Sequence, residues 1–257
     1  MVCITVPMTG VASPDSEGRK NAPNVGDVDA PSAVTGIVLA AGGGSRMGVP
    51  KALVVAADGT PWLSRASTLL VDAGCDPVLV VLGARADEAQ ALLPGPIGVV
   101  RPVIAEDWAD GMAQSLRAGL TAAAGTGAGA ALITLVDLPN LPLALVRRVL
   151  DAPFDAATLR QAVHNGKPGH PVLVGRDHWR SLASTLTGDH GARGYLVAHG
   201  VTEVECADLF DGHDVDTAAD AAAAGATSTS TAEEDSAAED SVGGDPAGEN
   251  ASPAPLG

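Results

Sequence analysis

The chain has 257 residues, with 31 Asp and Glu against 15 Lys and Arg and a formal net charge of −16. That balance argues against bulk attraction to nucleic acid or to an anionic membrane surface, so an anionic substrate must be drawn by local positive charge and metal. The three cysteines, Cys3, Cys75 and Cys206, are scattered and odd in number, which speaks against a disulfide framework or a zinc site.

The first 33 residues are rich in Pro, Gly, Ser and Asp. From Gly225 onward the chain holds no Lys, Arg or aromatic residue, and it carries Glu233, Glu234, Asp235, Glu239, Asp240, Asp245 and Glu249. Segments of this kind bury too little apolar surface to offset their ordering entropy. The expected organisation is a disordered extension over 1–33, one medium-sized domain over 34–224, and a disordered acidic tail over 225–257. The N-terminus lacks a basic region followed by a sustained apolar stretch, and no apolar run reaches membrane-spanning length. The chain therefore reads as cytoplasmic.

In chain order, apolar runs at Gly36 to Ala41, Pro77 to Gly83, Ile97 to Ile104 and Ala130 to Val136 read as strands buried on both faces. Helical patterns over Trp62 to Ala73, Asp87 to Leu93 and Met112 to Ala123 separate them. This alternation predicts a mostly parallel sheet with helices on both sides. Beyond Pro139 and Pro142 a helix is expected at Leu143 to Leu150, and strands at Thr158 to Val163 and Pro171 to Val174. Helices then follow at Asp177 to Leu186 and Ala192 to His199, and a last strand at Val201 to Cys206.

The chemistry starts in the loop after the first strand, within LAAGGGSRMGVPKAL at 39–53. A strand, a Gly-rich turn and two nearby cations make an anion cradle, because free backbone N–H groups converge there. Gly42, Gly43 and Gly44 supply the turn, and Arg46 and Lys51 can bracket a triphosphate. The loop is not a Walker A motif, since Val49 stands where the lysine belongs after Gly43 and Gly48. Nor is it the dinucleotide pattern, since Met47 takes the place of its last glycine.

Asp137 follows the apolar run ALITLV and falls at the carboxyl end of a strand, where open α/β sheets place their ligands. It reads either as a magnesium ligand or as a turn-starting or helix-capping Asp. In DVDTAAD at 214–220, alternate residues of an extended segment face the same way, so Asp214 and Asp216 can address one ion. Asp216 or Thr217 can equally cap the Ala-rich helix that follows, with Asp220 as first-turn charge. Ser115 and Gly111 lie at a predicted helix start, and Arg117 reads as a solvated helix face. His164, His178, His199 and His213 show no metal spacing and read as surface or packing residues.

Taken together, these blocks resemble the nucleotidyltransferases that attach a nucleotide to molybdopterin. The resemblance runs through LAAGGGSRMGVPKAL, VLVVLGA at 78–84, WADGMAQSLRAGL at 108–120, LVDLPNL at 135–141, KPGHPVLV at 167–174, GDHGAR at 188–193 and DVDTAAD. The blocks cover nearly the whole expected domain in the family's order. Ala41 within LAAG, and Pro50 before Lys51, resemble the molybdenum cofactor cytidylyltransferases rather than the family members that use GTP. The chain departs from the cytidylyltransferase pattern at Leu138, which stands where Asp-Gln-Pro has Gln.

The resemblance implies a three-layer, Rossmann-like nucleotidyltransferase domain with a mostly parallel mixed sheet. It implies CTP (or GTP) and molybdopterin as substrates, magnesium as cofactor, and a molybdoenzyme as recipient. The implied nucleotide site comprises Leu39, Ala40, Ala41, Gly42, Gly43, Gly44, Ser45, Arg46, Lys51, Gly83 and Ser115. Arg46, Lys51 and Asp137 would be catalytic, Asp137 and Asp216 would hold the metal, and His170, Gly188, Asp189 and Arg193 would face the acceptor. Some relatives of this family are described as oxidoreductases acting on nicotine-derived pigments, so an NAD(P)H-dependent reductase is the competing enzyme class. A non-catalytic carrier of molybdopterin is a third reading.

Overall fold

A computed structural model describes residues 33–94, 98–223 and 225–228. Its centre is a seven-stranded sheet built from β1 (Val34–Leu39), β3 (Val78–Leu82), β4 (Val100–Ile104), β5 (Ala130–Leu135), β6 (Leu159–His164), β7 (Lys167–Gly175) and β8 (Thr202–Glu205). The spatial order is β4-β3-β1-β5-β7-β6-β8. β7 alone runs against the others: it pairs antiparallel with β5 and β6, and every other pairing in the sheet is parallel. The expected mostly parallel mixed sheet is what forms.

Strand periodicity divides the core in two, because successive side chains of a strand point to opposite faces. Val38, Val78, Val80, Leu82 and Leu132 pack on one face with Leu63 and Leu70 of α1 (Trp62–Asp72) and Leu145 and Val149 of α4 (Leu143–Leu150). Ile37, Leu79, Val81, Ala131 and Ile133 pack on the other with Leu116 and Leu120 of α3 (Met112–Ala124) and Trp179 and Leu182 of α5 (Arg176–Thr185). The result is a three-layer α/β domain. The shorter helices are α2 (Ala86–Gln90), α6 (Arg193–Ala198) and α7 (Ala218–Ala223). Among the described residues, no helix is long and apolar enough to cross a membrane.

Three features differ from the sequence expectation. β4 is an edge strand with Arg101, Pro102 and Ile104 exposed, so it is not buried on both faces. Pro102 is tolerated there because an edge strand need not donate on its open side. β7 begins at Lys167, four residues before the expected start, because Asn165 and Gly166 close a two-residue hairpin with φ of 53° and 73°. A small second sheet pairs β2 (Val54–Val55) with β9 (Thr227–Ser228). Residues 225–228, which composition assigns to the tail, thus lie against the domain. The rest of the tail, most of the N-terminal extension, and Ile97 of the predicted third strand lie outside the described residues.

Parallel pairing brings the carboxyl ends of β1, β3 and β5 to one edge of the sheet. The glycine loop, Gly83 and Asp137 emerge there, and the reversed strand β7 starts from the same edge with His170.

Candidate active site

The loop after β1 is a tight turn around Gly44. Its carbonyl accepts hydrogen bonds from the N–H groups of Met47 at 3.0 Å and Gly48 at 2.8 Å. Gly44 has φ of +68°, and a Cβ there would lie 1.9 Å from the Val49 carbonyl oxygen. Met47, 7 % exposed, pins the loop to the core. Among the described residues, the backbone N–H groups of Gly42, Gly43, Gly44, Ser45 and Arg46 donate to no protein acceptor. Five successive free donors with a cation beside them suit an anion. Gly44→Ala is expected to cost roughly 1–3 kcal/mol through left-handed strain alone, with more from the Val49 contact. A lowered melting temperature together with weakened triphosphate binding would show it.

Lys51 opens a 3-10 turn, Lys51–Leu53, whose next two residues, Ala52 and Leu53, are each 1 % exposed. That buried footing holds the root of Lys51. Its Nζ donates to Asp137 Oδ2 at 2.8 Å and to Asp216 Oδ1 at 2.5 Å. Arg46 Nη1 donates to Asp216 Oδ2 at 2.8 Å. The Arg46 side chain is 72 % exposed, so that pair contributes little by itself. The Lys51–Asp137 pair is far more enclosed, at 17 % and 15 % side-chain exposure.

The two carboxylate segments are joined through backbone. The N–H of Val215 donates to the Asp137 carbonyl at 3.0 Å, and the Val215 side chain is buried in the core of the α1–α4 face. With Val215 turned inward, its neighbours Asp214 and Asp216 turn out toward Asp137. Carboxylate oxygens of Asp137, Asp214 and Asp216 all lie within 4.8 Å of one another. Asp137 Oδ1 is buried without a hydrogen-bond partner among the described residues. An orphaned carboxylate oxygen within an oxygen-only acidic triad fits a hard divalent cation. The capping reading of this segment is satisfied separately. Thr217 and Asp220 bond reciprocally at the start of α7, Thr217 N to Asp220 Oδ2 at 3.2 Å and Asp220 N to Thr217 Oγ1 at 3.1 Å, which leaves Asp216 to the cations.

Burial lifts the Asp137 carboxyl above its ordinary range, with the charge of Asp214 adding to the shift and Lys51 opposing it. Burial works against the charge on Lys51, but the hydrogen bonds and charges of Asp137 and Asp216 outweigh it and raise the ammonium. Asp216 is held low by its hydrogen bond to Lys51 and by Arg46.

His170 lies in β7, where burial pushes its imidazole down to about 4 and the charge of Asp214 pulls the other way. It is therefore neutral at physiological pH. Its proton is bound more readily in the unfolded chain than in the fold, so His170 makes stability fall as pH drops from 6.5 toward about 4. Proton NMR should show a His170 ring resonance that stays constant above pH of roughly 5.5. A midpoint near the ordinary histidine value would contradict this environment.

The remaining candidates fall into place unevenly. Leu39 ends β1, and Ala40 and Ala41 lead from it with 4 % and 2 % exposure. Gly83 follows β3, and Ser115 sits in the first turn of α3 at 6 % exposure. Gly188, Asp189 and Arg193 are exposed. Gly188 accepts from the Ala113 N–H at 3.0 Å, which sets the 188–193 loop against the start of α3. No Arg193–Asp189 ion pair forms among the described residues.

Arg117 is not a solvated face. It donates to the carbonyls of Ala183 at 3.2 Å and Leu186 at 2.6 Å, tying α3 to the end of α5. Leu138 is 8 % exposed and packs in the core with Leu141 and Leu145, so its side chain belongs to the α1–α4 layer. Trp108, which sequence reasoning passed over, lies against Gly43 and Gly83.

A family model described as the MobA-like NTP transferase domain matches residues 36–204, from within β1 to within β8. The chain belongs to the MobA-like NTP transferase family. It is an enzyme of the nucleotidyltransferase type. Among curated relatives it is 37 % identical to the nicotine blue oxidoreductase of Paenarthrobacter nicotinovorans, over 75 % of this chain and 96 % of that protein. It is 34 % identical to the molybdenum cofactor guanylyltransferase of Rhodobacter capsulatus, over 57 % of this chain and 65 % of that one. With the molybdenum cofactor cytidylyltransferase of Escherichia coli K12 it shares 29 % identity, over 56 % and 71 %. The crystal structure of Rv0371c from Mycobacterium tuberculosis H37Rv superposes with a TM-score of 0.62 at 29 % identity, covering 76 % of this chain and 98 % of that one. The manganese complex of the same protein superposes with a TM-score of 0.58 at 25 % identity, over the same shares.

Proposed function

We propose that this chain transfers CMP from CTP to the terminal phosphate of molybdopterin, releasing pyrophosphate, with magnesium as cofactor. The observation that carries the proposal is the convergence of Lys51, Asp137 and Asp216 at one end of the sheet, beside a loop of free N–H groups. The acceptor phosphate is already a nucleophile at neutral pH, so no strong general base is required. Catalysis is then positioning and charge stabilisation. The Gly42–Arg46 amides and the Arg46 guanidinium hold the β- and γ-phosphates, and Lys51 meets charge developing around the α-phosphate. Asp137 and Asp216 hold the metal, with Asp214 beside them; when bound, the ion neutralises phosphate charge. Leu39, Ala40, Ala41, Gly83 and Ser115 complete the nucleotide side. His170, Gly188, Asp189 and Arg193 face the acceptor, and a molybdoenzyme in the cytoplasm receives the product.

Ala41 and Pro50 support CTP over GTP, and relatives of both kinds are on hand. Leu138, where the chain departs from the cytidylyltransferase pattern, packs in the core with Leu141 and Leu145 and so does not decide between the two nucleotides. A second reading, an NAD(P)H-dependent reductase, is favoured by the 37 % identity to nicotine blue oxidoreductase. It leaves the enclosed Lys51–carboxylate constellation without a task, and the loop lacks the dinucleotide glycine spacing. One plate separates the readings: pyrophosphate release from CTP, GTP and ATP with molybdopterin, with and without magnesium, beside NADPH oxidation with candidate dyes. Metal-dependent release from CTP alone is expected. NADPH oxidation without pyrophosphate release would select the reductase.

A further inference from the structure

Trp108 belongs to the 3-10 turn Trp108–Asp110 between β4 and α3 and packs against the core of the α3–α5 face. Its side chain fills space denied to two glycines. A Cβ at Gly43 would lie 3.2 Å from Trp108 Cζ3, and a Cβ at Gly83 would lie 2.5 Å from Trp108 Cγ. One indole therefore lies against the glycine loop after β1 and against the end of β3 at once. The turn is braced by the Trp108 N–H donating to the Ala105 carbonyl at 3.2 Å, and by the Gly111 N–H donating to the Trp108 carbonyl at 3.2 Å.

The same segment reaches the other loop of the site. Gly111 has φ of +111°, and a Cβ there would lie 2.5 Å from the Gly188 carbonyl oxygen. The next residues continue the contact: the Ala113 N–H donates to Gly188, and the Met112 sulfur lies 3.6 Å from where a Gly191 Cβ would be. A strap of five residues, Trp108 to Met112, thus touches Gly43 at one end and the 188–191 loop at the other. Neither loop can shift without moving the strap or opening a gap beside it.

We propose that Trp108 is a positioning residue that couples the two loops. It holds Gly43 so that the loop amides converge on a nucleoside triphosphate, and through Gly111 it makes the order of the 188–191 loop depend on that nucleotide. The inference rests on the nucleotidyl transfer reading. In the full chain, CTP should protect the amides of 188–191 from hydrogen exchange, although those residues lie on the acceptor side.

Trp108→Ala is expected to weaken CTP binding roughly ten-fold or more, since small displacements of positioning groups carry large effects. It should also abolish the CTP-dependent protection of 188–191. Trp108→Phe keeps a ring against both glycines and should restore both. Circular dichroism and unliganded exchange elsewhere in the sheet report whether each variant is folded. Nucleotide binding by Trp108→Ala equal to wild type, or protection of 188–191 that survives the substitution, overturns the coupling while leaving nucleotidyl transfer intact. Wild-type protein that binds no nucleotide in the presence of magnesium overturns both.

Discussion

Lys51→Met is expected to lower turnover by about 10²- to 10³-fold, the scale on which removal of one transition-state donor acts in an enclosed site, with a much smaller change in CTP affinity. The lysine is placed to respond to charge at the reacting phosphorus, whereas the free amides of the glycine loop provide most of the ground-state grip. Steady-state kinetics and equilibrium CTP binding on the same preparation check the split. Intact turnover with weakened CTP binding would show that Lys51 only binds. The substitution should have a second effect. The Lys51 ammonium occupies Asp137 Oδ2 and Asp216 Oδ1, two oxygens a divalent ion would also use. Removing it leaves three carboxylates within 4.8 Å facing one another with less counter-charge. Manganese binding without nucleotide, followed by electron paramagnetic resonance, should therefore tighten in Lys51→Met.

Asp137→Asn should have the other large effect, a loss of turnover on the order of 10³-fold, reflecting the several kcal/mol a metal-held charge supplies. The fold should survive it. Burial already penalises the ionised Asp137, and Lys51 keeps Asp216 as a partner, so the change in melting temperature should be small. The wild type also has a pH signature. Only the ionised Asp137 holds Lys51 and a cation, and its carboxyl lies above the ordinary range. On acidification of the metal-free protein, the Asp137 carboxyl should therefore take up its proton at a higher pH than a solvent-exposed aspartate, a titration that carboxyl-carbon NMR follows and that Asp137→Asn lacks. A thermally collapsed Asp137→Asn protein, or an Asp137 carboxyl that titrates with the exposed aspartates, would contradict this assignment.

Much of this site could be read from residue order, for identifiable reasons. The loop glycines, Arg46 and Lys51 are local in sequence, and alternation in an extended segment placed Asp214 and Asp216 on one side of Val215. The strands β1, β3 and β5 are buried on both faces and so appear as unbroken apolar runs. The β6–β7 hairpin carries a local signal in the dipeptide Asn165-Gly166, which the expected strands at Thr158 to Val163 and Pro171 to Val174 left unused.

Other features depend on contacts that no local pattern records. Arg117 looks like a surface residue on its own helix, yet the carbonyls it serves come from 66 and 69 residues away. Trp108 complements glycines, which leave no side chain to signal what fills the space beside them. The β2–β9 pairing joins segments too short to carry a period and lies at the edge of a compositionally biased tail.

The most direct test is to incubate the full chain with molybdopterin, magnesium and CTP labelled at its α-phosphate. Label should move onto the pterin in step with pyrophosphate release, and Lys51→Met and Asp137→Asn should slow both together. Label that remains entirely in CTP and CMP, with molybdopterin recovered unchanged, would contradict the account.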